Sequence, residues 1–176
     1  NNKILFYLYM DLLTKTIKCN MYIKKINKNI TPNNNNLTFT ITTCKRLDKF
    51  VRTMNNFIYF CQDIENIGQF ILIDDNSSNE DREVMQQLYP FFKFIFKEET
   101  DKGHAKSLNI LWKNITTDYV IHFEDDWLIN EPFHVQAFVN FLKEHNYDHL
   151  LLNQHYSSNN TICQMDKKHI YKYIYI

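Results

Sequence analysis

Tyr119-Val120-Ile121-His122-Phe123-Glu124-Asp125-Asp126 is the stretch on which the reading of this chain turns. An apolar run of that length reads as a buried strand, which cannot carry unpartnered charge into a core. The acidic residues therefore mark where the strand leaves its sheet. Trp127 and Leu128 follow at once, so the turn is not a freely solvated loop. Carboxylates gathered at such a point suit a hard divalent cation, which takes one or two of them and completes its shell with substrate phosphates. A solvated acidic turn is the plainer alternative, and the apolar flanks weigh against it.

A second apolar run, Phe70-Ile71-Leu72-Ile73, ends the same way, in Asp74-Asp75-Asn76-Ser77-Ser78. Asn and Ser here fit a turn and the N-cap of a helix opening at Asn79. Adjacent carboxylates are harder to explain as a turn, because like charges repel unless solvated or partnered. An acidic residue at a strand end can instead accept from a ribose or a base edge. Both readings stand on this segment alone.

Between and around these runs the pattern alternates. Strands are predicted at Leu37–Thr43, Phe70–Ile73, Phe91–Phe96, Tyr119–Phe123 and His149–Leu152. Helices are predicted at Leu47–Cys61, Asn79–Tyr89 (stopped by Pro90), His104–Trp112 and Glu131–His145. Alternation of this kind implies an α/β domain, a mostly parallel sheet with helices on both faces. Ligands of such sheets bind beyond the carboxyl ends of the strands, where both acidic clusters fall. Asp101-Lys102-Gly103-His104-Ala105-Lys106 opens the third helix. It is no P-loop, but a helix N-terminus with lysines nearby suits a diphosphate. A solvated loop is the plainer reading for each lysine.

Residues 1–36 read as an extension with a helix around Leu5–Ile17, broken by Thr31-Pro32 and the run Asn33–Asn36; residues 37–176 form the domain. Net charge is +0, which gives no pull toward nucleic acid or a membrane surface. Many aromatics and only 2 glycines suit a packed globular domain. The surplus of Asn makes the Asn-x-Ser/Thr matches at Asn29, Asn36, Asn76, Asn114 and Asn159 chance events. Cys19, Cys44, Cys61 and Cys163 lack metal or disulfide spacing and read as reduced thiols of a cytoplasmic protein. Ile4–Leu13 is too short to span a bilayer and lacks a cleavage site, so neither a transmembrane segment nor a secretory signal is expected. The first residue is Asn and the last run, Tyr171–Ile176, is apolar; both ends read as cut. His122 reads as a core residue, and His155, after the fifth strand, as a candidate third ligand.

In this order the segments resemble the nucleotide-sugar-binding half of a GT-A glycosyltransferase, similar to family 2, over Leu37 to Asn153. Thr40-Ile41-Thr42-Thr43-Cys44-Lys45-Arg46 resembles the family's opening strand and its Pro-Thr-Tyr-Asn-Arg turn. Ile73-Asp74-Asp75-Asn76-Ser77-Ser78 resembles Val-Asp-Asp-Gly-Ser, whose aspartate contacts the donor's uracil or ribose. Gly103 and Asn109 match Gly-x-x-x-Ala-Arg-Asn, and Glu124-Asp125-Asp126 falls at the Asp-x-Asp metal motif.

The resemblance implies transfer of a sugar from a nucleoside diphosphate sugar to a glycan, protein or lipid hydroxyl, with inversion. It implies Mn2+ or Mg2+ on Asp126 with Glu124, and donor contacts from Thr42, Thr43, Arg46, Asp74, Asp75, Gly103, Asn109 and Asp125. The family's Pro is Thr42 here, and the Arg before Asn is Leu108, so Lys102 and Lys106 are left to meet the diphosphate. The family's base lies downstream of the metal motif, where Asp166 is the local carboxylate. Two other readings stay open: a GT-A remnant that binds donor without turnover, and a sugar-phosphate nucleotidyltransferase. The latter wants a glycine-rich loop after strand one, and Thr42–Arg46 has no glycine.

Overall fold

The computed structural model describes residues 36–152 and 172–174. Its elements follow the predicted alternation: β1 Leu37–Thr43, α1 Leu47–Phe60, β2 Gln69–Asp74, α2 Asn79–Leu88, β3 Lys93–Phe96, α3 His104–Asn114, β4 Tyr119–Glu124, α4 Val135–His145, β5 Leu150–Leu152 and β6 Lys172–Ile174. The expected N-terminal helix lies outside the described residues, as do Asp166 and His155.

The main sheet is four-stranded and parallel, in the order β3-β2-β1-β4. Every residue of β1 is buried, which makes it the central strand. Its two faces differ in chemistry. Leu37, Phe39 and Ile41 point into the main core with Phe70 and Leu72 of β2 and Phe123 of β4. On that face lie α1 (Phe50, Met54, Phe57, Ile58), α2 (Met85) and α4 (Val135, Val139). On the opposite face α3 covers β2 and β3, with Leu111, Leu108 and Ile110 against Ile71, Ile73 and Ile95. The expectation of helices on both faces holds.

The remaining part of that second face is polar. Thr38 bonds Gln69 and Thr117, Thr40 bonds His122 Nδ1 at 2.9 Å, and Thr42 donates to Glu124 Oε2 at 2.6 Å. Buried hydroxyls are tolerated because each has a partner. The period of two in Leu-Thr-Phe-Thr-Ile-Thr therefore separates an apolar wall from a hydrogen-bonded ladder leading to the acidic end of β4.

Strand order also locates the cleft. The chain steps from β1 to β2 to β3 in one direction, with α1 and α2 on one face. It then crosses under α3 to place β4 on the other side of β1. The reversal lies between β1 and β4, and ligands in open α/β sheets bind at such a switch point.

Three expectations need correction. The helix predicted at Glu131–His145 begins at Val135. Pro132 precedes a β-bridge between Cys61 and Phe133, and Phe133 N–H donates to Phe60 O. Asp63, far earlier in sequence, caps the helix by accepting from Val135 N at 2.7 Å and Gln136 N at 3.0 Å. The third strand begins at Lys93 rather than Phe91, because Phe92 N–H turns back to Tyr89 O. The fifth strand does not join the main sheet; it pairs in parallel with β6, a strand not anticipated in the apolar tail.

Phe39 is fully buried, with rings of Phe57, Phe70, Phe92 and Phe123 around it, the nearest centroid at 4.4 Å. Phe39→Ala should lower stability by about 3–5 kcal/mol in urea denaturation, through lost burial and the cavity left behind. A loss below about 1 kcal/mol would mean that this aromatic cluster is not the core.

Candidate functional site

The cleft opens at the carboxyl ends of β1, β2 and β4. The end of β1 and its turn contribute Thr42, Thr43, Cys44 and Arg46. Asp75 and Glu124 form its acidic walls, and the first turn of α3 closes it with His104 and Ser107. Register brings the strand ends level, with Thr43 beside Asp74 and Thr42 beside Glu124.

The neighbouring aspartates of β2 have separate surroundings. Asp74 is fully buried, accepts from Ser77 N and Ser77 Oγ, and pairs with Arg82 Nε at 2.7 Å. Arg82 also donates to Lys97 O at 2.6 Å and lies over the Phe96 ring. Both oxygens of Asp74 are thus engaged behind the cleft. Asp75 is the one on the cleft wall: its Oδ2 accepts from Gly103 N at 2.9 Å and its Oδ1 pairs with Lys97 Nζ at 2.9 Å. Lys97 is itself buried and donates to Gly103 O and Ser107 Oγ. Burial alone would raise the Asp75 carboxyl, but the Gly103 N–H and the Lys97 ammonium together hold it below its ordinary 3.8.

Gly103 carries φ 125°, a conformation glycine adopts without the strain other residues meet there. No atom lies within 4 Å of where a Cβ would sit, so backbone conformation and not crowding selects glycine. Ser78 caps α2 as expected, accepting from Asp81 N at 3.1 Å. Ser77 instead ties Asp74 to the β1 turn by accepting from Lys45 N at 2.8 Å.

The acidic residues after β4 also divide. Asp125 is fully buried, with Thr43 Oγ1 donating to its Oδ2 at 2.8 Å and Thr53 Oγ1 donating to its carbonyl. Arg46 grips it with Nε at 3.1 Å on Oδ2 and Nη2 in ionic contact with Oδ1. Oδ1 has no aligned hydrogen bond, and burial pushes this carboxyl above its ordinary 3.8 against the pull of Thr43 and Arg46. Asp126 is 44% exposed and meets Arg46 Nη1 at 3.2 Å. Glu124 is partly exposed, with Oε1 at 3.5 Å from His122 Nε2 and 3.6 Å from His104 Nε2. Burial holds the His122 imidazole below its ordinary 6.5, so near neutral pH this contact is not an ion pair.

A sequence pattern for glycosyl transferase family 2 matches residues 38–173. The chain belongs to this family. Among solved structures, S. aureus TarS 1–349 in complex with UDP-GlcNAc is similar, at 18% identity and a TM-score of 0.57, over 67% of this chain and 34% of that one. So is mannosyltransferase PcManGT from Pyrobaculum calidifontis, in complex with GDP-Man and Mn2+, at 13% identity and a TM-score of 0.58, over 80% of this chain and 44% of that one. Identities this low establish the GT-A fold, and the chain spans less than half the length of either neighbour. No curated protein matches in sequence.

Of the family positions expected from sequence, the cleft gathers Thr42, Thr43, Arg46, Asp75 and Glu124. The hydroxyls of Thr42 and Thr43 are spent on Glu124 and Asp125. Lys102, Lys106 and Asn109 are exposed and do not line it; Lys102 pairs with Glu99 and Lys106 with Asp101 at 3.7 Å. His104, Ser107 and Cys44 were not singled out from the sequence, yet all three face the cleft. His104 and Ser107 could have been found by their helical spacing after Gly103. Burial, then Asp75 and Asp74, raise the Cys44 thiol above its ordinary 9.0. Among the described residues no three His, Cys, Asp or Glu converge as a complete ligand set. The donor set fits a cation only in the company of phosphate oxygens, with Asp126 as the exposed carboxylate. No helix among the described residues is long and apolar enough to cross a membrane.

Two measurements follow from the paired aspartates. Arg82→Leu, which strands Asp74 as a buried unpaired charge, should cost about 3–5 kcal/mol of unfolding free energy; stability equal to wild type would show that Asp74 does not depend on Arg82. The depressed Asp75 carboxyl stabilises the fold above its ordinary 3.8, and that contribution disappears as pH falls through its lower folded value. The stability advantage of wild type over Asp75→Asn should therefore shrink in urea titrations below about pH 4. An advantage that grows on acidification would contradict the Lys97 and Gly103 assignment.

Proposed function

We propose that this chain is the donor-binding part of a metal-dependent, inverting glycosyltransferase that moves a sugar from a nucleoside diphosphate to an acceptor hydroxyl. The observation carrying this is the cleft at the β1/β4 switch point of a family 2 chain, with Asp75 on one wall and Glu124 on the other. UDP-GlcNAc on TarS and GDP-Man with Mn2+ on PcManGT support the donor class and the cation.

The residues take distinct roles. Asp75 faces the nucleoside, while Asp74 shapes its turn. The positive groups beside the cleft are Arg46 and the α3 N-terminus at His104, which suit a diphosphate better than the outward Lys102 and Lys106. Asp126, together with Glu124, would hold Mn2+ or Mg2+, which would supply charge neutralisation to the leaving diphosphate. Thr42 and Thr43 fix the acidic turn from behind, so Asp126 is presented by a turn that is itself hydrogen-bonded into the sheet. A carboxylate removes the acceptor proton; Asp166 is our proposal for it.

Donor binding without turnover is the second reading, since the groups that the cleft gathers are those expected on the donor side. Calorimetry with Mn2+ and UDP or GDP should detect binding to wild type and at least about a tenfold loss in Asp126→Asn, the size of one charge-assisted contact. Equal affinity would remove Asp126 from the site. Release of free sugar from UDP-GlcNAc or GDP-Man at high protein concentration separates turnover from binding alone.

A further inference from the structure

We propose that Lys97 is a positioning residue for the nucleoside: its buried ammonium braces Asp75 from behind, so that one carboxylate oxygen is presented to the cleft in a fixed place. This rests on the reading of Asp75 as the carboxylate that faces the nucleoside. Lys97 follows β3 and is 3% exposed. A lysine is rarely buried so far without partners. Its Nζ is in ionic contact with Asp75 Oδ1 at 2.9 Å and donates to Gly103 O at 3.0 Å and to Ser107 Oγ at 2.8 Å. Those contacts use every N–H of the ammonium. The backbone of Lys97 is held as well, its N–H donating to Asp74 O at 3.0 Å and its carbonyl accepting from Arg82.

The partners of the ammonium share a place. Asp75 and Ser107 line the cleft, and Gly103 leads directly into His104, which lines it too. Lys97 is therefore spent on the cleft wall and not on the apolar core. It also separates the tasks of the two Asp75 oxygens. Oδ1 is shut from water and faces Lys97. Oδ2 takes an N–H from Gly103 at 2.9 Å. A carboxylate oxygen accepts more than one hydrogen bond, which leaves Oδ2 as the acceptor for a ribose hydroxyl or a base N–H.

Without the ammonium, Asp75 keeps only its Gly103 anchor and can turn about its side-chain torsions. Binding then has to order a carboxylate that Lys97 orders in advance. Fold stability does not single out this role, since replacing a buried charge by an apolar side chain together with its partner is often neutral. Ligand affinity does.

The experiment is calorimetry of UDP and GDP with Mn2+ on wild type, Lys97→Met, Asp75→Asn and the double variant. Lys97→Met and Asp75→Asn should each bind about tenfold more weakly than wild type, the scale of one hydrogen bond to a charged group. The double variant should bind no more weakly than Asp75→Asn, because the brace then has no carboxylate to aim. The ratio of wild-type to Lys97→Met affinity should widen from about pH 7 to about pH 5, since burial raises the Asp75 carboxyl once Lys97 no longer holds it down. Arg46, Lys102, His104 and Glu124 are common to both proteins and cancel in that ratio. Lys97→Gln, which keeps a donor, provides the same comparison if Lys97→Met does not fold. Wild-type affinity in the Lys97 variant, a ratio that does not move with pH, or a double variant weakened by both factors would overturn the positioning role, while a loss in Asp75→Asn alone keeps the nucleoside reading. Wild-type affinity in Asp75→Asn would overturn that reading itself.

Discussion

The constraint on which this molecule depends is the neutralisation of carboxylates at the ends of buried strands. Asp74 and Asp125 are withdrawn from water, and a lone charge in that position costs several kcal/mol. Each is answered by a specific arginine, Arg82 from α2 and Arg46 from the β1 turn. Asp75 is answered by the buried ammonium of Lys97, just past β3. These pairs tie three segments to the carboxyl edge of the sheet, and the cleft is the space they leave.

Neutralisation also sorts neighbouring acids into different tasks. In both clusters one aspartate is turned inward and consumed by the scaffold, while Asp75 and Glu124 line the cleft and Asp126 is exposed. Asp74 and Asp125 are the inward members; Asp75 and Asp126 are the outward ones. Asp74 and Asp75 avoid mutual repulsion by finding separate cations, Arg82 and Lys97, while Asp125 and Asp126 share Arg46. The polar ladder of Thr38, Thr40 and Thr42 serves the same edge, since its last rung holds Glu124. An apolar β1 on that face would leave the end of β4 without a hydrogen-bonded support.

Much of the fold was legible in the sequence. The alternation of short apolar runs with helical spacing located every strand of the main sheet to within about two residues, because the period of a half-buried strand differs from that of a helix. One start point failed because a distant group intervened. The fourth helix begins late because Asp63 caps Val135 and Gln136, a contact that no local pattern announces. In the site, the acidic strand ends and Gly103 could be read directly, since charge beside an apolar run is visible in one dimension. Lys102 and Lys106 drew attention for the same reason, but they lie outside the cleft on the outer surface, paired with Glu99 and Asp101.

By itself the sequence determined the layered α/β architecture, the placement of acidic residues at strand ends and the family resemblance. These depend on periodicity and local order, which a linear chain carries in full. Tertiary structure alone decided that Asp75 and not Asp74 faces the cleft, that His104 and not the lysines stands at its wall, and that Arg46 bridges Asp125 and Asp126. Those outcomes depend on which cation reaches which carboxylate across the crossovers of the sheet. Such partners are brought together by strand order, not by nearness in sequence.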